Sequence, residues 1–198
     1  TFANMRTQSL SPFWASTAFI LALFGFGAKA GMLPLHVWLP EAHPAAPSPV
    51  SALMSGIMLK TAIYGLLRIS FDLLHVNVWW WGGLLLALGL ATALFGVVFA
   101  TVQTDMKRLL AYSSIENIGL LLAGIGLALI FHAYNMSALT ALALTAVLYH
   151  VVSNAFFKSL LFLGTVAVLH ATGERNLGRL GGLIRYMPWV AWLMLIGV

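Results

Sequence analysis

The sequence contains no cysteine among its 198 residues, and only 8% of its residues are charged. The absence of cysteine excludes disulfide frameworks, thiolate metal sites and cysteine-held iron–sulfur clusters within this chain. The histidines also lack carboxylates at ligand spacing, which argues against a metal site. We therefore expect no cofactor, metal or redox centre in this chain.

Apolar residues, by contrast, are abundant: they make up 61% of the chain, and the mean hydropathy is +0.96. A soluble domain has about 45–50% apolar and about 25% charged residues. Apolar runs of about 20 residues recur, long enough to cross a hydrocarbon core of about 30 Å. The alternating pattern of a barrel strand is absent, so the chain is expected to be an all-α polytopic membrane protein. The net charge of +5 then reflects cationic loops rather than nucleic-acid binding.

Six apolar spans organise residues 1–198 as part of a single transmembrane domain. The chain begins without methionine and ends inside an apolar run, so we expect a fragment of a longer protein, and no signal peptide is recognisable. The fifth span is longer than a crossing needs, which predicts tilt, a break or an emergent end. The predicted spans are residues 12–35, 50–69, 79–102, 110–131, 138–169 and a truncated 188–198.

The distribution of lysine and arginine between the loops predicts the orientation. Connections 36–49, 103–108 and 171–187 fall on one face, which the positive-inside rule makes cytoplasmic. That face holds Lys107, Arg108, Arg175, Arg179 and Arg185, whereas the other holds Arg6 and Arg68.

Lys29, Lys60 and Lys158 lie in or close to apolar spans. A lysine at a helix centre costs about 2.5–3.5 kcal/mol on insertion scales, so each needs a partner, water or a route to the interface. Snorkelling of the long side chain to the headgroups is the alternative. It is more tenable for Lys29, near a span's end, than for Lys60, which has apolar residues on both sides.

The segment "LYHVVSNAFFKSLLFLG" places His150, Asn154 and Lys158 at i, i+4 and i+8. This spacing puts them on one stripe of a helix, and the stripe must face protein or water. One interpretation is an interhelical hydrogen-bond seam. The other is a proton path, because histidine exchanges protons near neutral pH and burial makes a lysine easier to deprotonate.

The segment "GFGAKAGMLPLHVWLP", residues 25–40, indicates an interrupted helix, because Gly31 and Pro34 loosen the backbone ladder. The carbonyl groups that it frees must meet protein or a wet cavity. Discontinuous helices that carry an ionisable residue are typical of transport sites. His36 either continues a relay or caps the segment at the interface, and His43, in the proline-rich loop, is expected to be solvated.

Long motifs then indicate a family. The stretches "LPLHVWLPEAHPAAPSPVSALMSGIMLKTAIYGLLR", "TDMKRLLAYSSIENIGLLLAGIG" and "LYHVVSNAFFKSLLFL" resemble the antiporter-like proton-translocating subunits shared by respiratory complex I, Mrp-type cation/proton antiporters and membrane-bound hydrogenases. Within that family, "YSSIENIG" and "TGERNLGRLGGL" are most similar to the large membrane subunit of hydrogenase-4 and formate hydrogenlyase complexes.

The resemblance implies an antiporter-like fold of about fourteen helices with two inverted repeats, each containing a broken helix; this chain would run from the seventh helix into the twelfth. Lys29 matches the family's central lysine, whose glutamate partner on the fifth helix lies outside the chain. Asn154 stands where members often have a second histidine, so its amide or a water would have to bridge the gap. The implied relay residues are Lys60, Lys107, His150 and Lys158, with Asn154 and His36 as further candidates.

The resemblance also implies the function: proton translocation as a membrane-arm subunit of an energy-converting redox complex, of the hydrogenase-4/formate hydrogenlyase or NADH–quinone oxidoreductase type. The alternatives are a subunit of an Mrp-type sodium/proton antiporter and a structural scaffold subunit. The implied partners are other membrane-arm subunits, the lipid bilayer, protons or sodium, and a peripheral redox module carrying iron–sulfur clusters with nickel–iron or flavin; nucleic acid is not among them. The implied location is the cytoplasmic (inner) membrane of a bacterium or archaeon, crossed several times.

Overall fold

The computed structural model describes residues 10–74, 76 and 78–197, and this part of the chain is almost entirely helical. Arg6, used in the orientation argument, and residue 198 lie outside the described residues. Five helices are long and apolar enough to cross a membrane, so the all-α polytopic class is confirmed. The helices are α1 (Pro12–Ala30), α2 (Trp38–Ala45), α3 (Ser48–Leu73), α4 (Trp79–Thr101), α5 (Met106–Ala133), α6 (Ser137–Thr172), α7 (Leu183–Tyr186) and α8 (Pro188–Ile196).

Helix α1 ends at Ala30, before the predicted limit at residue 35. Gly31 follows with a φ of 83°, in the left-handed region that favours glycine, and its N–H donates to the Gly27 carbonyl at 3.0 Å. The chain then turns through a cis Leu33–Pro34 peptide bond and re-enters a helix at Trp38. The predicted interruption of the helix is therefore present.

Helix α3 is long but not uniformly α-helical. It contains two π-helical turns, Met54–Met58 and Arg68–Leu73, and it extends past the predicted limits of residues 50 and 69 at both ends. Gly56, in the first of these turns, faces Ala155 and Ser159 of α6 so closely that a Cβ atom would overlap the Ser159 hydroxyl. The glycine thus lets the backbones of α3 and α6 approach each other.

Helix α5 is the most buried of the five long helices and forms the centre of the described bundle. It begins at Met106 rather than at the predicted residue 110, because the Asp105 carboxylate accepts hydrogen bonds from the N–H groups of Lys107 and Arg108, at 2.8 and 3.1 Å. Small residues bring α4 and α5 into backbone contact: a Cβ atom at Gly89 would lie 2.5 Å from the Ala123 nitrogen.

Helix α6 runs without interruption over 36 residues and ends at Gly173, which has a φ of 71°. Of the three options that its length allowed, a break is therefore excluded. Because the helix is continuous, its i, i+4 stripe is preserved over the whole length. This continuity keeps His150, Asn154 and Lys158 in line.

Three connections meet at one end of the bundle, as the alternation of spans requires. The Leu177 N–H donates to the Thr104 carbonyl at 2.8 Å, and an Arg175 guanidinium nitrogen lies 3.4 Å from the Pro44 carbonyl. Arg108 pairs with both carboxylate oxygens of Glu41 at 2.9 Å. We call this region the connection end; its placement on the cytoplasmic side stays a prediction.

Candidate functional site

Lys158 lies in the interior between α5 and α6, with 1% of its surface exposed. Its ammonium donates a hydrogen bond to the Ser113 hydroxyl at 2.6 Å, and that hydroxyl in turn donates to a Glu116 carboxylate oxygen at 3.4 Å. The Phe157 ring lies 5.6 Å from the ammonium. Within the described residues Lys158 forms no ion pair, so one hydroxyl is its direct polar partner. A buried ammonium with so little compensation is costly to keep charged, which suits a group that gains and loses a proton.

His150 is hydrogen-bonded to α5 through Asn117. Its Nε2 lies 3.0 Å from the Asn117 side-chain oxygen, while the Asn117 amide nitrogen donates to the Ser113 carbonyl at 2.7 Å. Because the amide nitrogen is committed to that carbonyl, the amide oxygen must accept, and Nε2 of His150 must carry the hydrogen. Nδ1 is then the nitrogen at which neutral His150 takes up a proton.

Asn154 stands between His150 and Lys158 on the stripe but contacts neither by a hydrogen bond. It is 1% exposed, and its amide nitrogen has no partner within the described residues. The link between the histidine and the lysine instead passes through α5, because their hydrogen bonds converge on Ser113, at its carbonyl through Asn117 and at its hydroxyl directly. The bridging role expected of the Asn154 amide is not observed.

Lys60 belongs to the same cluster. Its ammonium donates to the Ser55 carbonyl, which lies in the π-helical turn of α3, and the lysine is 8% exposed. The Ser55 hydroxyl lies 2.7 Å from that of Ser114, which itself donates to the Leu110 carbonyl at 2.8 Å. Ser55 is therefore the donor between the two hydroxyls, since each carries one hydrogen. The charges of Lys60, Lys158 and Glu116 all act on His150, so these groups form one electrostatic unit.

Lys107 marks the boundary between this cluster and the connection end. It lies in the first turn of α5, is 5% exposed, and donates from its ammonium to the Ala46 carbonyl at 2.9 Å. The contact ties α5 to the segment between α2 and α3.

Lys29 is not brought to the cluster. It lies in the last turn of α1, is exposed, and forms no hydrogen bond or ion pair within the described residues. The break beside it is nevertheless well supported, as predicted for freed backbone groups. The Trp38 indole donates to the Ala28 carbonyl at 2.8 Å, and the Leu33 N–H donates to the Thr92 hydroxyl at 3.2 Å.

The two histidines near the break differ from each other. His36 packs edge-on against Phe95, with 4.6 Å between the ring centroids, and burial lowers its pKa although a hydrogen bond with the Pro34 backbone opposes this. The prediction that His43 is solvated is wrong: its side chain is fully buried and stacked on Phe162 of α6 at 4.8 Å. The reason is that α2 folds back over the bundle, where the Ser51 hydroxyl donates to the His43 carbonyl at 3.0 Å.

Sequence reasoning missed the contribution of α5. Ser113, Ser114, Glu116 and Asn117 were used only as part of a family motif, yet they supply the hydrogen-bond partners of Lys158, His150 and Ser55. The signal was available, because polar residues spaced three and four apart in an apolar helix form a stripe that must face protein or water. Among the described residues, no group of three or more histidine, aspartate and glutamate side chains is arranged to hold a metal ion.

Membrane-crossing helices, one interrupted helix and buried ionisable residues are together the features of an antiporter-like membrane subunit. The chain belongs to the family described as "NADH:quinone oxidoreductase/Mrp antiporter, TM", which it matches over residues 2–198. The resemblance inferred from the sequence motifs is confirmed.

Individual relatives agree with this assignment. The chain is 48% identical over 198 residues to hydrogenase-4 component B of Escherichia coli (strain K12), covering 99% of the chain and 30% of the relative. It is 42% identical over 196 residues to formate hydrogenlyase subunit 3 of the same organism, covering 98% and 32%. Respiratory complex I from Thermus thermophilus with bound NADH contains a chain with a TM-score of 0.86 at 27% identity, over 99% of this chain and 40% of that one. The chain thus spans about three-tenths of the length of the curated relatives it matches.

Proposed function

We propose that this chain is part of a proton-translocating membrane-arm subunit of an energy-converting redox complex, in the cytoplasmic membrane of a bacterium or archaeon. One observation carries the proposal: two buried lysines, Lys60 and Lys158, are held by carbonyl and hydroxyl oxygens rather than by carboxylates. A lysine that only holds helices together is better served by a carboxylate, because that pairing compensates its buried charge. Oxygen partners without charge accept either protonation state of the amine.

In the proposed relay, protons move along the middle of the membrane between Lys60, His150 and Lys158. His150 lies within the electrostatic reach of both lysines, and its Nδ1 is the nitrogen that exchanges a proton. Each transfer breaks one N–H bond on the donor and forms one on the acceptor, and a bridging water spans the gap beside Asn154. Lys107 extends the relay toward the connection end, while His36 and the switching lysine, Lys29, belong to the break between α1 and α2.

The redox chemistry is assigned to other subunits. Relatives of this chain are named as a component of hydrogenase-4 and a subunit of formate hydrogenlyase, and a similar chain occurs in a complex I structure with bound NADH. We propose that a peripheral module carrying iron–sulfur clusters with nickel–iron or flavin drives the proton movement.

Two other functions make different demands on the same residues. The family description also names Mrp antiporters, which favours sodium/proton exchange as the second candidate. An antiporter needs no electron donor, so a sodium gradient alone would change the pH inside vesicles. A scaffold subunit needs the lysines only for assembly.

The test is Lys158→Met in the full-length protein within its native complex, reconstituted into vesicles that contain a pH-sensitive dye. We expect electron transfer to continue while proton movement per electron falls at least about tenfold, because general acid–base groups contribute about 10²–10⁴-fold to proton transfer. Arg179→Gln is the control, since Arg179 is exposed and lies on the connection after α6. Unchanged proton movement in Lys158→Met would refute the proposal; sodium-driven pH change without an electron donor would favour the antiporter.

A further inference from the structure

His43 is a buried histidine that the relay described above does not use. Its side chain is 0% exposed, and neither ring nitrogen has a hydrogen-bond partner within the described residues. Buried polar groups are normally hydrogen-bonded, and each exception calls for an explanation. If the ring served only to fill space against Phe162, an apolar ring would do so without leaving two polar atoms unpaired.

The position of His43 along α6 is specific. His150, Asn154, Lys158 and Phe162 follow one another at intervals of four residues, so they occupy one stripe of the continuous helix. The His43 ring stacks on Phe162, with 4.8 Å between centroids and 18° between planes. His43 therefore takes the next place after Lys158 on this stripe, on the side of the connection end.

The backbone around His43 is fastened from three directions. The Ser51 hydroxyl donates to the His43 carbonyl at 3.0 Å, Arg175 lies 3.4 Å from the Pro44 carbonyl, and Lys107 donates to the Ala46 carbonyl at 2.9 Å. The imidazole is therefore placed between two lysines of the candidate relay, and the charges of both Lys158 and Lys107 act on it.

The charged groups around His43 are mostly cations. On its own helix Glu41 is engaged by Arg108, so that carboxylate is already compensated. Burial, together with the charges of Lys158 and Lys107, lowers the pKa of His43 to about 4. The imidazole is consequently neutral while both lysines are charged, and it accepts a proton more readily once Lys158 has given up its own. The surrounding groups are Lys158 on α6, Lys107 on α5, Arg175 after α6, and the Glu41–Arg108 pair.

We infer that His43 carries protons between the connection end and Lys158, an inference that rests on the proposed function. A proton from the connection end binds the unprotonated ring nitrogen, and the hydrogen on the other nitrogen leaves through a bridging water to the neutral Lys158 amine. One N–H bond forms and one breaks at the ring, and Lys158 becomes an ammonium. The unpartnered ring nitrogens supply the polar contacts that such a water needs.

The experiment compares variants of the full-length protein in its complex, with proton movement expressed per electron transferred and per assembled complex. His43→Phe keeps a ring that stacks on Phe162 but has no nitrogen, and we expect it to lower proton movement at least about tenfold. His170→Phe is the matched control, because His170 is an exposed histidine in the last turn of α6. We expect His170→Phe to behave as the wild type.

Phe162→Leu separates a structural role from proton transfer, because it removes the stacking partner and keeps the imidazole. If His43 only packs, both variants reduce the amount of complex, and the complexes that do assemble translocate protons normally; that result overturns the inference. If His43 transfers protons, translocation per assembled complex falls in His43→Phe and not in Phe162→Leu. Lys158→Met tells the two proposals apart. Loss in Lys158→Met with wild-type proton movement in His43→Phe defeats this inference alone, whereas normal movement in Lys158→Met defeats the proposed function itself.

Discussion

The Lys158 ammonium donates to the Ser113 hydroxyl at 2.6 Å, across the contact between α6 and α5. The same serine receives, at its carbonyl, the amide of the asparagine that binds His150. One residue of α5 thereby fixes the positions of two titratable groups on α6. The stripe that the sequence displays on α6 works only together with its counterpart on α5.

Ser113→Ala is expected to disturb the candidate site more than the loss of one hydroxyl suggests. It leaves the Lys158 ammonium without its direct partner, and leaving a buried polar group unsatisfied costs about 1–3 kcal/mol, more for a charged one. We expect a lower thermal unfolding temperature of the full-length protein in detergent and slower proton movement in vesicles.

Ser113→Thr is the matched control, because it keeps the hydroxyl and adds a methyl group. It should preserve most of the proton movement. Equal losses in the alanine and threonine variants would indicate that the size of the side chain, and not the hydrogen bond, is what matters.

Gly89→Ala is expected to destabilise the α4–α5 pair. A Cβ atom at this position would lie 2.5 Å from the Ala123 nitrogen and 2.8 Å from the Gly119 oxygen, and both are backbone atoms that have no flexible way to yield. Overpacking of this kind costs about 1–3 kcal/mol. The measurement is the fraction of full-length protein that stays folded in detergent after stepwise heating.

Gly83 offers a control on the same helix, since a Cβ atom there meets nothing within 4 Å. Gly83→Ala should change stability by no more than about 0.5 kcal/mol. If both alanine variants unfold alike, the cause is not the close approach of the two backbones.

The outline of the fold was predictable from composition, because lipid restricts a chain this apolar to helices of sufficient length. The limits of the helices were less predictable, since they depend on local hydrogen bonds. Asp105 caps α5 and so moves its start ahead of the apolar run, and Gly31 ends α1 within it.

The candidate site was only half visible in the sequence. The spacing of His150, Asn154 and Lys158 follows from helix geometry alone, but the partners of His150 and Lys158 come from a different helix. His43 shows the same limit: a proline-rich segment reads as a loop in water, and only the tertiary fold presses it against Phe162. Such long-range contacts leave no trace in local periodicity.

Glu174 supplies a prediction about pH. Hydrogen bonds from the backbone of Asn176 and Arg175 lower the pKa of this exposed carboxylate from its usual value of 4.5. The charged form is therefore the one that the folded turn favours. Its contribution to the stability of the turn after α6 is fully present above pH 4.5 and is lost as the pH falls through the lowered pKa.

Hydrogen exchange of the Arg175 and Asn176 backbone amides, measured in the full-length protein from pH 6 down to about pH 3, checks this sign. After correction for the intrinsic pH dependence of exchange, protection should decline on acidification in the wild type. In Glu174→Gln the protection should be weaker at neutral pH and nearly independent of pH. A variant that retains the wild-type pH profile would contradict the assignment.

Lys29→Ala is expected to separate function from folding. Lys29 is exposed and makes no hydrogen bond or ion pair within the described residues, so its removal leaves the contacts of α1 in this part of the chain intact. The break that follows is held by other groups, namely the Trp38 indole and the Thr92 hydroxyl. We therefore expect the full complex to assemble in normal amounts while proton movement per electron is abolished or sharply reduced. Trp38→Phe is the informative comparison, because it removes the hydrogen bond to Ala28 but keeps the lysine. It should lower both stability and proton movement, whereas a Lys29→Ala complex that translocates protons at the wild-type rate would remove this lysine from the proposed mechanism.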